Sequence, residues 1–149
     1  MTTLTMQYID EHCTSLNISR FALTEFTIPD GFTEIGVSAF SLCFALESIN
    51  IPNSVTMIGE DAFDDCTSLT SIFIPESVNT IQECAFVDCT ALTSINIPNG
   101  ITRIGTRSWQ RCSSLTSVTL PDSVTEIDFE AFDECTHFHQ FPRWYDYDY

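Results

Sequence analysis

The chain has 149 residues, and 21 acidic against 5 basic side chains give it a formal net charge of −16. This length predicts one domain. Nucleic acid is excluded as an expected partner because phosphate contacts need clustered cations. No apolar run is long enough to span a membrane as a helix, and the first residues lack the basic and apolar regions of a signal peptide. We therefore expect no nucleic-acid partner and no membrane span.

The first segment, residues 1–22, falls outside the periodic part of the chain. Ile9, Cys13 and Leu16 have the spacing of one face of a short amphipathic helix. Yet the Cys-Thr-Ser-Leu run that begins at Cys13 recurs at residues 66–69. We interpret the segment as an amino-terminal cap or degenerate repeat, since the end of a repeat array needs a covering unit.

A period of 23 residues governs residues 23–141. An apolar residue followed by proline marks it, at Ile28-Pro29, Ile51-Pro52, Ile74-Pro75, Ile97-Pro98 and Leu120-Pro121. The repeats are 28–50, 51–73, 74–96, 97–119 and 120–142. A fixed period of this size indicates a solenoid, in which one coil buries its apolar face only by stacking on the next.

Each repeat contains one segment with the pattern of a strand. Leu69, Ile72 and Ile74 end in alternation, and the proline that follows cannot donate to a sheet. The return segment 60–66 is too short for a stable helix, so it predicts one turn or a tight loop. The fold class is therefore a repeat solenoid. We expect its short parallel strands to stack about 4.8 Å apart in one sheet, with short helical turns or loops on the return side.

The repeat unit also resembles a known family. Residues 51–72 read Ile-Pro-x-Ser-Val-x-x-Ile-Gly-x-x-Ala-Phe-x-x-Cys-x-x-Leu-x-x-Ile, which resembles the BspA-like branch of the leucine-rich repeat family. The resemblance implies a curved solenoid that binds proteins, and a location at the cell surface or outside the cell. The sequence itself leaves the compartment unknown. The resemblance implies no catalytic residues.

Cysteine and histidine are the residues that invite a chemical function. Five cysteines occupy one apolar column, at positions 43, 66, 89, 112 and 135. We interpret them as interior thiols that act as small hydrophobic groups. Cys84 stands in a polar column and is the best candidate for a reactive thiol. His137 and His139 alternate as metal ligands could, but their nearest third ligand, Cys135, belongs to the interior column. We predict no catalytic residue, no cofactor, no metal site and no enzyme activity.

Three of the five arginines fall in one repeat. Arg103, Arg107 and Arg111 each stand 23 residues before a glutamate. Stacked coils would bring each arginine to its glutamate, which predicts an ion-pair ladder between coils. A functional basic patch is the alternative.

The outward positions of the strand column form the candidate binding surface. They are small, hydroxylated and nearly uncharged, within a strongly acidic chain. The candidate partner-binding residues are Asn50, Thr70, Ser71, Phe73, Thr93, Ser94, Asn96, Thr116 and Ser117. Phe73 is the one large apolar residue among them, and we expect it to anchor a partner. The predicted function is protein–protein recognition through this face, with surface adhesion as one form of it.

Two alternatives remain open. The acidic aromatic carboxy-terminal tail, residues 142–149, is either a cap or a docking segment, which allows a structural or accessory subunit docked into a larger multi-subunit assembly through its ends. The recurring Thr and Ser positions also allow binding to a regular surface such as ice, although they lack a strict Thr-x-Thr grid.

Overall fold

The structure is a computed structural model that describes residues 2–137. Within that range there is one α-helix, α1 (Met6–Ser15), and one 3-10 helix (Arg20–Ala22). The strands are β1 (Thr3–Leu4), β2 (Glu25–Thr27), β3 (Glu34–Ile35), β4 (Ser48–Asn50), β5 (Met57–Ile58), β6 (Ser71–Ile72), β7 (Thr80–Ile81), β8 (Ser94–Asn96), β9 (Arg103–Ile104), β10 (Ser117–Thr119) and β11 (Glu126–Ile127).

The strands stack in two columns on different faces of the solenoid. The first face contains a sheet of order β1-β3-β5-β7 and a separate pair, β9 and β11. The second face contains the pair β2 and β4 and the sheet β6-β8-β10. All pairs are parallel, and from residue 23 onward each residue pairs with the one 23 positions further along, as in Ile72 with Ile95. The predicted stack of parallel strands in a solenoid is confirmed.

The expectation of a single sheet missed the first face. Met57 and Ile58 pair with Glu34 and Ile35 of the preceding coil, although they lack a long alternating pattern. A two-residue strand needs no such pattern, because stacking on an identical coil supplies its hydrogen bonds. Each full coil therefore crosses two strand columns, and tight turns make the return path.

A stack of aromatic rings runs through the core. Phe40, Phe63, Phe86, Trp109 and Phe132 lie one above the next, with neighbouring ring centroids 5.1–5.6 Å apart and ring planes within 11° of parallel. Four of these side chains are completely buried, and Phe132 is 3% exposed. Ring spacing near 5 Å matches the strand spacing, so backbone pairing and ring stacking reinforce each other.

The interior columns read from the sequence are buried with few exceptions. Phe32, Ile49, Leu120 and Ile127 are partly buried against the core, and the other apolar columns reach nearly zero exposure within the described residues. The predicted column members Phe138 and Phe141 lie outside the described residues. Burial of a large aliphatic or aromatic side chain contributes about 1.5–3 kcal/mol, so these columns supply the main stabilising free energy.

Left-handed residues shape the turns. Two residues in each coil have φ between 53° and 63°, and none of them is glycine: Ser38, Leu42, Asp61, Asp65, Cys84, Asp88, Arg107, Arg111, Glu130 and Glu134. This conformation costs a non-glycine residue roughly 1–2 kcal/mol. Bonds between coils hold it in place, since the amides of Ser38 and Leu42 donate to the carbonyls of Glu60 and Asp64 in the next coil.

The amino-terminal segment forms a coil with a helical insertion. Leu4 pairs with Ile35, 31 residues later (35 − 4), so this coil is eight residues longer than the others (31 − 23). Helix α1 accounts for the extra length and buries Ile9 and Cys13, as its spacing predicted. Leu16 is 55% exposed instead, because the helix ends at Ser15 and Leu16 turns away as its C-cap.

Arg20 fastens this helix to the next coil. Its side chain is only 9% exposed and lies 2.7 Å from the Asp10 carboxylate. It also donates to the carbonyl of Ser41, at 3.0 Å, and to that of Met6, at 3.2 Å.

Glycine permits the closest approach of successive coils on the first face. A Cβ atom added to Gly59 would lie 2.8 Å from the carbonyl carbon of Gly36 and 2.9 Å from the carbonyl oxygen of Ile35. At Gly105, in the same column, the nearest backbone atom would be Glu83 N at 3.5 Å. The two glycines therefore differ in how much room a side chain would find.

This difference predicts unequal effects of the same substitution. Gly59→Ala should lower the free energy of unfolding by about 1–3 kcal/mol, because a methyl group would meet backbone atoms that cannot rotate away. Gly105→Ala, the matched control, should change it by less than about 0.5 kcal/mol. Urea unfolding followed by circular dichroism measures both. Equal losses for the two variants would contradict the close packing described at Gly59.

Candidate functional site

The candidate surface lies on the second face and is called the serine–threonine face. It comprises Thr70, Ser71, Phe73, Thr93, Ser94, Thr116 and Ser117. All seven are exposed, and the sheet β6-β8-β10 places Ser71, Ser94 and Ser117 in one row. Behind them Ile72, Ile95 and Val118 are buried, which fixes the row against the core.

The threonines of this face have part of their hydrogen-bonding capacity occupied. The Thr93 hydroxyl donates to the carbonyl of Thr70, and the Thr116 hydroxyl donates to that of Thr93, each at 3.2 Å. These bonds join successive coils and fix the threonine rotamers. The oxygen lone pairs still face outward, so the row can accept hydrogen bonds from a partner.

Phe73 is the prominent apolar group of the face, with 69% of its surface exposed. A rigid exposed ring beside ordered hydroxyl groups has the composition of a binding hot spot, where aromatic anchors dominate.

Asn50 and Asn96 have different surroundings from the rest of the predicted set. Asn50 is exposed but belongs to the β2–β4 pair, across a sheet interruption from Ser71. Asn96 is half-buried, and its side-chain amide donates to the Ile74 carbonyl, at 2.9 Å, while its oxygen accepts from the Ile74 amide, at 3.2 Å. Asn96 thus stabilises the coil beside Phe73.

A hollow of about 630 Å³ continues the second face toward the amino terminus. Its floor is formed by β2 and β4, and its wall includes His12, Leu16 and Ile18. The His12 ring stands edge-on to Phe26, with centroids 5.0 Å apart. The hollow is large enough for a side chain or short loop of a partner.

The arginine repeat forms the predicted ion-pair ladder between coils. Arg103 lies 2.7 Å from Asp128 and 3.7 Å from Glu126, and Arg107 pairs with Glu130. Arg111 reaches Asp88 on one side at 3.3 Å and Glu134 on the other at 3.4 Å. The ladder reading is confirmed. Such exposed pairs contribute about 0–1 kcal/mol each.

The turns before this ladder leave their carboxylates crowded. Burial raises the pKa of Asp64 to about 6, and the nearby charges of Asp65, Asp61 and Asp88 raise it further. Within residues 2–137, no group of three or more acidic, histidine or cysteine side chains has the geometry to hold a metal ion.

The cysteine column lies in the interior and is chemically quiet. The thiols of Cys66, Cys89, Cys112 and Cys135 each donate to a backbone carbonyl of the preceding coil at 3.0–3.3 Å. Burial raises the pKa of the Cys43 thiol to about 11. All seven cysteines are unpaired.

Cys84 is partly exposed, but it is not an activated thiol. Burial raises its pKa, and the nearby carboxylate of Asp61 raises it further, while Arg107 acts in the opposite direction. Nucleophilic cysteines need the reverse, a lowered pKa. The sequence-based choice of Cys84 as the most accessible thiol agrees with the structure, but its reactivity is low.

The predicted histidine pair is only partly described. A ring nitrogen of His137 lies 2.7 Å from the carbonyl of Ser113. His139 lies outside the described residues, as does the tail 142–149.

The chain belongs to the BspA-type leucine-rich repeat family. The family model matches six copies of its repeat across residues 7–139. Modules of this family are protein-binding repeats that are typically non-enzymatic. A comparison with curated proteins finds no significant match.

Solved structures with this fold are bacterial leucine-rich repeat proteins. The T. pallidum protein has 37% identity and a TM-score of 0.73, over 77% of this chain and 56% of its own. The Bacteroides ovatus protein has 33% identity and a TM-score of 0.60, over 80% of this chain and 38% of its own. The Eubacterium ventriosum protein has 25% identity and a TM-score of 0.57, over 83% and 46%. The chain thus spans about half the length of these proteins, or less.

Sequence reasoning missed several exposed apolar groups outside the predicted face. Phe129 is 72% exposed and Val37 is 61% exposed, in one column of the first face. Phe21 and Phe44 stack with centroids 5.7 Å apart and are also exposed. Their separation of 23 residues was the signal that could have identified this pair. In the described part of the chain, no helix is long and apolar enough to cross a membrane.

The crowded carboxylate predicts a specific pH dependence. Because the folded-state pKa of Asp64 is raised to about 6, its stabilising contribution is complete below about pH 4 and is lost as the pH rises through 6. Asp64→Asn should therefore raise the free energy of unfolding by about 1 kcal/mol at pH 7.5, a value reduced for solvent screening, and by almost nothing at pH 4. Asp122→Asn, at an exposed turn, is the control. A pH-independent effect at Asp64 would contradict this account.

Thiol accessibility gives a second prediction. With the reagent DTNB at pH 8, one thiol should react in the native protein, and the others only after guanidinium unfolds the chain, because six of the seven are buried. Cys84→Ser should remove the native reaction. Its rate in the unmodified protein should rise steadily above pH 9, as expected for a raised pKa. Several rapidly reacting thiols in the native state would show that the interior column is open.

Proposed function

We propose that the chain is a non-enzymatic protein-recognition module that binds its partner through the serine–threonine face. The observation that carries the proposal is the exposed Phe73 ring beside an ordered row of hydroxyl groups in a chain otherwise rich in carboxylates. A partner surface that is flat and weakly charged fits such a face, since repulsion from the acidic flanks would exclude acidic competitors.

The rigidity of the face supports this function. Ser71, Ser94 and Ser117 stand on paired strands, so little conformational entropy remains to be lost on binding. The family supports a protein partner as well. Recognition at a cell surface, including adhesion, is the setting that the family resemblance favours, and we include it in the proposal.

A second candidate function is supported by the stacked pair Phe21 and Phe44. These rings are 51% and 41% exposed near the amino-terminal end, beside Leu42, which is 39% exposed. An apolar cluster at one end of a solenoid suits an accessory subunit that docks into a larger assembly through its ends. The tail 142–149 would serve the opposite end in that arrangement.

One set of variants separates the two functions. A partner captured from the native source by the intact protein should bind the double variant Phe73→Ala/Ser94→Glu at least tenfold more weakly, because the variant removes the anchor and adds a charge. Phe129→Ala/Asn53→Glu makes the same chemical changes elsewhere and should bind within twofold of the intact protein. Titration calorimetry with the purified partner measures each affinity.

The opposite result would favour docking through the ends. If Phe73→Ala/Ser94→Glu binds normally while Phe21→Ser/Phe44→Ser or removal of 142–149 abolishes binding, the serine–threonine face is not the recognition surface.

A further inference from the structure

The first-face sheet is interrupted between β7 and β9. Where the coils pair normally, the amide of Asn79 donates to the carbonyl of Thr56, and that of Gln82 to the carbonyl of Ile58, each at 3.0 Å. The equivalent donors one coil later are the amides of Thr102 and Gly105. Within residues 2–137 neither has a hydrogen-bond partner, so two strand edges face each other unpaired.

Side chains span part of the space that backbone bonds span elsewhere. The Asn96 amide bridges to both backbone groups of Ile74. The Glu76 carboxylate accepts from the backbone and side-chain nitrogens of Asn99, at 3.0 and 3.2 Å. These bridges hold the two coils together beside the interruption while allowing a wider separation.

Gln82 offers the physical reason for the opening. It occupies the column in which Gly36 and Gly59 stand, and those glycines allow the next coil to approach to contact distance. The Cβ atom of Gln82 denies the same approach to Gly105. The result is a cleft of about 560 Å³ between the two strands.

The cleft is polar and carries uncompensated negative charge. Glu60, Glu83, Arg103 and Asp128 line it, together with side chains that can hydrogen-bond, such as Thr102. Arg103 is paired with Asp128 at 2.7 Å, whereas the carboxylates of Glu60 and Glu83 have no ion pair within the described chain.

We propose that this cleft docks one extended, cationic peptide segment of a partner protein, which adds a strand between β7 and β9. The two edges offer unpaired donors and acceptors on both sides, which is the chemistry of β-strand addition. Alternate apolar side chains would point inward beside Ile81 and Ile104, which are buried. The intervening lysine or arginine side chains would point outward, toward Glu60 and Glu83. This site is separate from the serine–threonine face.

The probe is a hexapeptide, acetyl-Val-Lys-Val-Lys-Val-Lys-amide, studied by amide hydrogen exchange with NMR detection at low ionic strength. In the free protein, the Thr102 and Gly105 amides should exchange rapidly, unlike those of Asn79 and Gln82. Saturating peptide should slow both at least tenfold. The peptide in which glutamate replaces lysine should bind at least tenfold more weakly.

Variants test the same site without removing the core. Glu60→Gln/Glu83→Gln should weaken peptide binding about fivefold or more, and Glu47→Gln, on the second face, should leave it unchanged. Gln82→Gly should close the opening, protect the Thr102 and Gly105 amides in the free protein, and abolish binding. The second-face variant Phe73→Ala/Ser94→Glu should bind the peptide normally, so failure here is distinguishable from failure of the proposed recognition face.

Two results would overturn the proposal. One is strong protection of the Thr102 and Gly105 amides in the unmodified free protein, which would mean that β7 and β9 pair in solution. The other is peptide binding that leaves these amides unprotected or that the glutamate peptide matches, since either would place the contact outside the cleft.

Discussion

Stacking of one coil on the next is the constraint on which this protein depends. No 23-residue coil encloses its own apolar side chains, so each aromatic ring needs the ring of the neighbouring coil, as Phe63 needs Phe40 and Phe86. The same register carries the thiol–carbonyl bonds of the cysteine column and the amide bonds that hold left-handed turn residues in place. Backbone, ring and thiol therefore repeat with one period, and a change in one coil is felt by its two neighbours.

That division leaves the outward positions free for function and for charge. The acidic surface is balanced locally at Arg103, Arg107 and Arg111, while the carboxylates around Asp64 repel one another at a cost in stability. The serine–threonine face and the β7–β9 cleft both use departures from the repeat. Phe73 stands where Asn50 and Asn96 stand in the adjacent coils, and Gln82 replaces a glycine.

The sequence predicted the parts of the fold that rest on repetition. The period, the buried columns and the arginine ladder follow from residues 23 positions apart, because stacking places such residues in contact. The first-face strands escaped detection since a two-residue strand such as Met57–Ile58 has no periodic pattern of its own. The left-handed turn residues escaped for a similar reason: contacts between coils, and not glycine, determine their conformation. Asn96 was assigned outward by its column, but its amide bonds the Ile74 backbone, which only coordinates reveal.

The central claim is that cohesion is a sum of contacts between neighbouring coils. The most direct measurement is denaturant unfolding of a variant that lacks residues 51–73, one complete period, which joins Asn50 to Ile74 in register. The account predicts a folded, cooperative protein whose unfolding midpoint falls and whose denaturant dependence decreases by roughly a sixth, in proportion to the chain removed. An unfolded or aggregated product would contradict it, because it would mean that the coils are not interchangeable and that stability depends on one particular repeat.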